Sequence, residues 1–319
     1  MRRSSSMQTQ SRRDFLTTAG AAVGTMLVAR RAPAAENANE RTGRQPSLSD
    51  GVGLPAGWRQ MKKFDAHNHV MQAVHEPDAD WTAVENMLAA AELLGIEKLF
   101  CSRPLTRGVL AEIDAVREAN NSVIAAMQRY PGQIEGYCFV QPGNGAAALE
   151  EIDRCLDTGM IGVKLYNQFK YNDPVVFPIA EKCIERRIPF LGHSAYLTDP
   201  ATLATQPKTS NALEFGELSA RYPELILILG HVNGGGDWEW AIKGLKSTPN
   251  VFLDTSGSVQ EDDAIGRCVR ELGHERVLFA TDLTMEGGVG KVLAAELTPE
   301  QREDIFWRNF QRILDRRRT

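Results

Sequence analysis

From about residue 61 onward the chain alternates short apolar runs with longer amphipathic ones, and it does so eight times. The short runs are KKFDAHNH, IEKLFCS, IEGYCFVQ, IGVKLYN, IPFLGHS, LILILGHV, VFLDTSG and RVLFATDL. Each is nearly continuous in apolar residues, the pattern of a strand in a parallel sheet covered on its faces. The segments between them carry helical spacing, with Trp81, Val84, Leu88 and Ala91 after the first run and Leu149, Ile152 and Leu156 after the third. Eight such units close into a (β/α)8 TIM barrel, a fold of about 250 residues. A single α/β domain is therefore expected over residues 61–319. Residues 197–210, LTDPATLATQPKTS, are the longest irregular insertion. They follow the fifth strand on the side where a barrel keeps its active site, and are a candidate lid.

The N-terminus reads differently. Residues 1–34 combine a basic start, Ser11-Arg12-Arg13-Asp14-Phe15-Leu16, an apolar run from Thr17 to Val28 and the small-residue pattern Ala32-Pro33-Ala34. That run is roughly 12 residues, short of the ~20 a spanning helix needs, so it predicts a cleaved signal peptide and no membrane anchor. Its paired arginines are similar to a twin-arginine signal, which implies the twin-arginine export machinery as a partner and a periplasmic or secreted destination. Residues 35–60 lack an apolar period and read as a flexible lead-in. Residues 1–34 hold six arginines and one aspartate, so their removal takes the formal charge from −5 to −10, which argues against nucleic acid as a partner. Five widely spaced cysteines, Cys101, Cys138, Cys155, Cys183 and Cys268, read as buried thiols rather than a disulfide framework.

In such a barrel the chemistry sits at the C-terminal ends of the strands. His67 and His69 end the first strand, Lys164 lies toward the end of the fourth, and His193, His231 and Asp282 end the fifth, sixth and eighth, with Asp254 and Ser256 at the seventh. Side chains alternate along a strand, so Asp65, His67 and His69 are expected on one face, where two imidazoles can reach a single metal ion. His193 and Asp282 are the candidates to complete a nitrogen-and-oxygen site suited to zinc. Asp65, one step deeper, is better placed to orient a ring N–H or a neighbouring residue. Arg103 is a candidate for a substrate carboxylate, with an ordinary ion pair as the alternative. Asp254 and Ser256 are read equally as mouth residues or plain hydrogen-bonding groups, and His75 and His274 as surface residues. GHVNGGGD, residues 230–237, lacks the Gly-Lys-Ser/Thr ending of a phosphate loop; its glycines suit a tight turn that leaves His231 open to substrate.

These residues, with DAHNH, GVKLYN, LGHS, LGHVNGG, FLDTSG, FATDL and NFQRIL in order from Lys63 to Leu314, resemble the amidohydrolase superfamily, in its amidohydrolase-related (amidohydrolase 2) branch of hydrolases and decarboxylases. The resemblance implies one divalent metal, usually zinc, on His67, His69, His193 and Asp282, with His231 over the substrate. Manganese or a two-metal site, bridged by a carboxylated Lys164, is the variant it leaves open, and a homodimer is an assembly it allows. Hydrolysis of a small amide, ester or lactone by a metal-activated water is the first expectation, with Asp282 as the base. Non-oxidative decarboxylation of an aromatic or unsaturated acid is the second, and an inactive exported binding protein the third.

Overall fold

The structure is a computed structural model that describes residues 54–316 apart from 106–107, 233, 235–237, 259–260 and 262. The expected signal peptide and residues 35–53 of the expected lead-in lie outside the described residues. Residues 56–60 form turns, and Lys63 Nζ, itself buried, donates to the carbonyls of Trp58 at 2.7 Å and Met61 at 2.9 Å.

All eight expected strands are present: β1 (Phe64–His69), β2 (Lys98–Ser102), β3 (Ile134–Phe139), β4 (Gly162–Leu165), β5 (Phe190–His193), β6 (Leu227–Gly230), β7 (Val251–Asp254) and β8 (Val277–Leu278). They run parallel in sequence order in one sheet. The ring closes through backbone bonds from Ala66 N to Phe279 O at 3.0 Å and from Asp282 N to His67 O at 2.9 Å. The helices are α1 (Thr82–Leu93), α2 (Ile113–Arg129), α3 (Ala146–Asp157), α4 (Phe177–Glu185), α5 (Pro200–Thr205), α6 (Ala212–Arg221), α7 (Glu239–Leu245), α8 (Ala264–Leu272), α9 (Met285–Ala294), α10 (Pro299–Glu303) and α11 (Asn309–Asp315). Among the described residues no helix is long and apolar enough to cross a membrane. The five cysteines are free and buried, as expected.

Two apolar clusters follow from strand alternation. Leu99, Cys101, Val163, Leu227 and Leu253 pack outward with helix residues such as Val84, Val123 and Phe215. Phe64, Phe100, Tyr137, Leu191 and Ile228 fill the lumen, closed below by Phe310 and Ile313 of α11. Each such side chain, fully buried, contributes roughly 1.5–3 kcal/mol.

Two glycines make room where the barrel carries its polar groups. A Cβ on Gly192, next to His193, would lie 2.5 Å from Tyr171 Cε2 and 2.7 Å from Phe215 Cζ, and one on Gly230 would meet Gly192 O at 2.8 Å and the His67 ring at 3.1 Å. Gly192→Ala is expected to destabilise the fold by about 1–3 kcal/mol through overpacking, read as a lowered melting temperature. An unchanged melt would mean that the wall behind His193 yields more easily than its contacts suggest.

The insertion after β5 is less irregular than expected. It contains α5, capped by Asp199 Oδ2, which accepts from Thr202 N at 2.7 Å. Its ends are tied down, because Ala195 N donates to Ser210 O at 3.0 Å and Lys170 Nζ to Thr209 O at 2.7 Å. It stands as an anchored wall beside the mouth.

Candidate active site

The polar rim assembles from the ends of six strands, but not by simple alternation along β1. Asp65 pairs with Leu99 and Asn68 with Cys101, so the register shifts between them and β1 carries a bulge. A bulge resets which face each following residue takes. The expectation that Asp65 shares a face with both histidines is therefore corrected. His69 pairs with Ser102, and its ring lies 5.1 Å from that of His67. Asp65 instead holds neighbours in place, as one of its expected roles required: its carboxylate accepts from Thr281 N at 2.9 Å, Thr281 Oγ1 at 2.6 Å, Asn68 Nδ2 at 2.6 Å and His67 N at 3.3 Å. Burial pushes its pKa up to about 7 against these bonds.

His231 and Asp282 lie just past their strands rather than on them. His231 follows β6 at φ 70°, and Asp282, four residues beyond β8, has φ 47°. Left-handed backbone at a non-glycine residue costs about 1–3 kcal/mol and persists where surrounding bonds impose it. Here His231 N donates to Asp254 Oδ1 at 2.9 Å and Asp282 N to His67 O at 2.9 Å.

Asp254 organises the histidines. Its Oδ2 accepts from His67 Nδ1 at 2.8 Å, and its Oδ1 from Ser256 Oγ at 2.5 Å, Ser256 N at 3.0 Å and His231 N at 2.9 Å. Although burial pushes this carboxyl up, His67 and the hydrogen bonds hold it well below the usual range, so it is an ionised acceptor. The tautomers then follow. His67 carries its proton on Nδ1 and turns the Nε2 lone pair to Lys164 Nζ at 2.6 Å. The Ser256 proton goes to Asp254, so Ser256 Oγ accepts from His231 Nδ1 at 2.8 Å. His231 Nε2 then accepts from His193 Nδ1 at 2.9 Å, which leaves His193 Nε2 as a lone pair. Burial, and after it the charge of Lys164, brings the His67 pKa down to about 3; burial also lowers Lys164, to about 8.

His69 completes the arrangement. Its Nδ1 faces Ser102 O at 3.2 Å and Ser102 Oγ at 3.1 Å, and its Nε2 lies 2.9 Å from Asp282 Oδ1. Two tautomers suit these partners: with the proton on Nε2 the ring donates to Asp282, and with Nδ1–H given to the Ser102 carbonyl the Nε2 lone pair is open to a cation shared with Asp282. Asp282 Oδ2 also lies 3.7 Å from His231 Nδ1. Burial raises the Asp282 carboxyl, but His231 and His69 outweigh it and hold it well below the usual range.

Donor atoms of His67, His69 and Asp282 lie within 4.8 Å of one another, and so do those of His67, His231 and Asp254. These nitrogen and oxygen donors fit a divalent transition metal. His193 belongs to neither group and meets the set through His231. Arg103 is not drawn into the cluster; its Nε donates to Met71 O at 3.1 Å and its Nη1 approaches Ser122 Oγ at 3.5 Å. His75 and His274, read as surface residues, are half-buried with Ser122 and Asp304 as partners. Ser102 and Thr281 escaped the sequence reading, because their roles come from contacts across the barrel; the Asp-x-Ser pattern at the end of the seventh run was the one local sign of the Asp254 relay.

An eight-stranded parallel barrel with histidines and an aspartate at its C-terminal rim is an arrangement suited to a metal-dependent enzyme. Residues 64–316 match the family model described as Amidohydrolase, and the chain belongs to that family. No curated protein matches the sequence. Among solved structures the fold is similar to 2,6-dihydroxybenzoate decarboxylase from Rhizobium, with a TM-score of 0.61 at 17% identity over 80% of this chain and 98% of that one. It is similar to 5-carboxyvanillate decarboxylase from Novosphingobium aromaticivorans, complexed with manganese and 4-hydroxy-3-methoxy-5-nitrobenzoic acid (TM-score 0.62, 16% identity, 81% of this chain and 97% of that one). A third is dihydroxybenzoic acid decarboxylase from Polaromonas, with bound manganese and 2-nitroresorcinol (0.60, 16%, 80% and 96%).

Proposed function

We propose that this protein is a divalent-metal-dependent lyase that removes carbon dioxide from an aromatic or unsaturated carboxylic acid without net oxidation. Family membership and the decarboxylases that share its fold support this reading over the hydrolase that the sequence first suggested. The observation that carries it is Lys164, a fully buried amine whose hydrogen bond goes to a neutral imidazole, His67 Nε2, at 2.6 Å. Asp282 and Asp254 already act on its charge. A metal held by Asp282 would occupy that carboxylate and leave the Lys164 ammonium to a substrate carboxylate, which a neutral amide or lactone does not supply.

His67, His69 and Asp282 would hold the metal, with His193, bonded to His231, as a further candidate donor. Manganese or zinc there would act as a Lewis acid toward the substrate oxygens. As the bond between the carboxyl and its neighbouring carbon breaks, the electron pair stays on that carbon, carbon dioxide departs and the carbon takes up a proton. Asp282 Oδ2 and His231 Nδ1, 3.7 Å apart, are the groups placed to hold and deliver it. Asp254 and Ser256 keep the two imidazoles in register for that transfer.

The test is carbon dioxide release from a panel of hydroxybenzoates and unsaturated acids, run beside metal content per chain by elemental mass spectrometry. About one manganese or zinc per chain is expected, absent in the His67→Ala/His69→Ala double variant, with release tracking metal loading. Two ions per chain would bring in the bridged arrangement with a carboxylated Lys164. Cleavage of esters or lactones with no carbon dioxide from any acid would return the protein to the hydrolase reading.

A further inference from the structure

Residues Thr281 to Thr284 make a tight turn at the rim. Thr284 N donates to Thr281 O at 3.0 Å, and both central residues are left-handed, Asp282 at φ 47° and Leu283 at φ 70°. Two positive φ values are what a type I′ turn requires, and its favoured central pairs are Asn-Gly and Asp-Gly. Asp282 suits the first place; a leucine in the second is strained, because its Cβ crowds the backbone. Surrounding bonds impose that strain. Asp282 N is tied to His67 O at 2.9 Å, Thr281 N and Oγ1 to the Asp65 carboxylate at 2.9 and 2.6 Å, and Thr284 Oγ1 to Thr281 O at 2.8 Å. No burial offsets it, since Leu283 is 47% exposed. Half-exposed leucines are ordinary on a protein surface, but this one stands where glycine fits without strain and directly follows a residue of the candidate metal set. Glycine would complete the same turn, so the turn alone does not account for the side chain.

We propose that Leu283 is a specificity-determining residue: its exposed side chain covers the apolar body of the substrate, while the substrate's oxygens are held at the rim beside Asp282. The contact follows from access. Among the side chains of the two donor groups, those of His67 and Asp254 are fully buried, those of His231 and His69 are 6% and 8% exposed, and Asp282 is open to solvent at 32%. A molecule that reaches these donors from solvent therefore arrives past Asp282, and Leu283 is the residue joined to it there. An apolar group laid on the leucine takes apolar surface of both partners out of water, a burial that the fold itself does not provide. The inference rests on the lyase reading for the reacting carboxylate and on the strained turn for the contact with the rest of the molecule.

The experiment is a calorimetric titration of the metal-loaded protein with 2-hydroxybenzoate and with oxalate, an anion that offers metal-binding oxygens but no apolar body. Leu283→Gly and Leu283→Asn relax the turn and remove the apolar side chain; Leu283→Met keeps an apolar one. The Gly and Asn variants are expected to bind 2-hydroxybenzoate about three- to tenfold more weakly, the effect of uncovering about half a leucine, with oxalate unchanged. Leu283→Met should stay within about twofold of the unsubstituted protein for both anions. Thermal melts give a readout of the opposite sign, because relief of the left-handed strain should hold the melting temperature of Leu283→Gly or raise it by about 1–3 °C. The proposal is overturned by 2-hydroxybenzoate binding that is absent or indifferent to the leucine, by an equal loss for oxalate, or by a lowered melting temperature. Each of these would give Leu283 to the fold or to the placing of Asp282. A leucine-dependent difference between the anions, without carbon dioxide release from any acid, would sink the lyase reading and leave this contact standing; release with no such difference would do the reverse.

Discussion

Asp282→Asn is expected to lower turnover about 10²–10⁴-fold, the range associated with a lost acid–base group, while the fold survives. The backbone accepts the change, since asparagine tolerates the left-handed φ of 47° found there and the Asp282 N–H keeps its bond to His67 O. What disappears is the negative charge between His69 Nε2 at 2.9 Å and His231 Nδ1 at 3.7 Å. The substitution should weaken metal retention together with rate. Circular dichroism matching the unsubstituted protein, beside a collapsed rate of carbon dioxide release, is the signature; a fully active Asn variant would remove Asp282 from the mechanism.

Asp254→Asn is expected to cost about 10–100-fold in metal affinity or rate, as removal of an orienting partner commonly does. Asp254 accepts from four donors, and an amide of the same shape cannot. If its NH₂ faces His67, Nδ1 must become an acceptor and the ring proton moves to Nε2. There it meets the Lys164 ammonium, now 2.6 Å away, donor against donor. If instead the NH₂ faces Ser256 and His231 N, the serine can no longer give its proton to Asp254, and the chain of bonds through His231 to His193 is lost. Nitrogen-15 shifts of the histidine rings read the tautomers directly, and elemental analysis reads the metal. Unchanged tautomers and a full metal complement would show that the relay is decoration.

Much of this architecture was legible in the residue order. Eight apolar runs sufficed for the barrel, because a covered parallel strand and its crossover helix each leave a periodic trace. The rim was legible too, since His67, His69, Lys164 and His193 are the polar exceptions at the ends of such runs. What escaped was set by contacts between distant parts of the chain. The bulge that turns Asp65 away from the histidines arises from its pairing with β2, and nothing in DAHNH announces it. Asp254 looked as much like a mouth residue as a plain hydrogen-bonding one, because its importance comes from His67, 187 residues earlier in the chain. Arg103 suggested a carboxylate partner by its place after the second run, yet the structure gives it Met71 O and Ser122.

The seam between the last strand and the first joins the parts of the barrel that lie farthest apart in the chain. β8 is only two residues long, and the bond from Asp282 N to His67 O that helps close the ring also fixes one candidate ligand beside another. Asp65 and Thr281, whose side chains brace that seam, are 216 residues apart. A chain emerging from the ribosome can build its early strands in order, but this centre cannot exist until the segment carrying Thr281 and Asp282 has emerged and has found the first strand. Metal binding across the seam is thereby placed after Thr281 and Asp282 have docked on β1, and an ion bridging the seam would act as a latch, raising the barrier to unfolding.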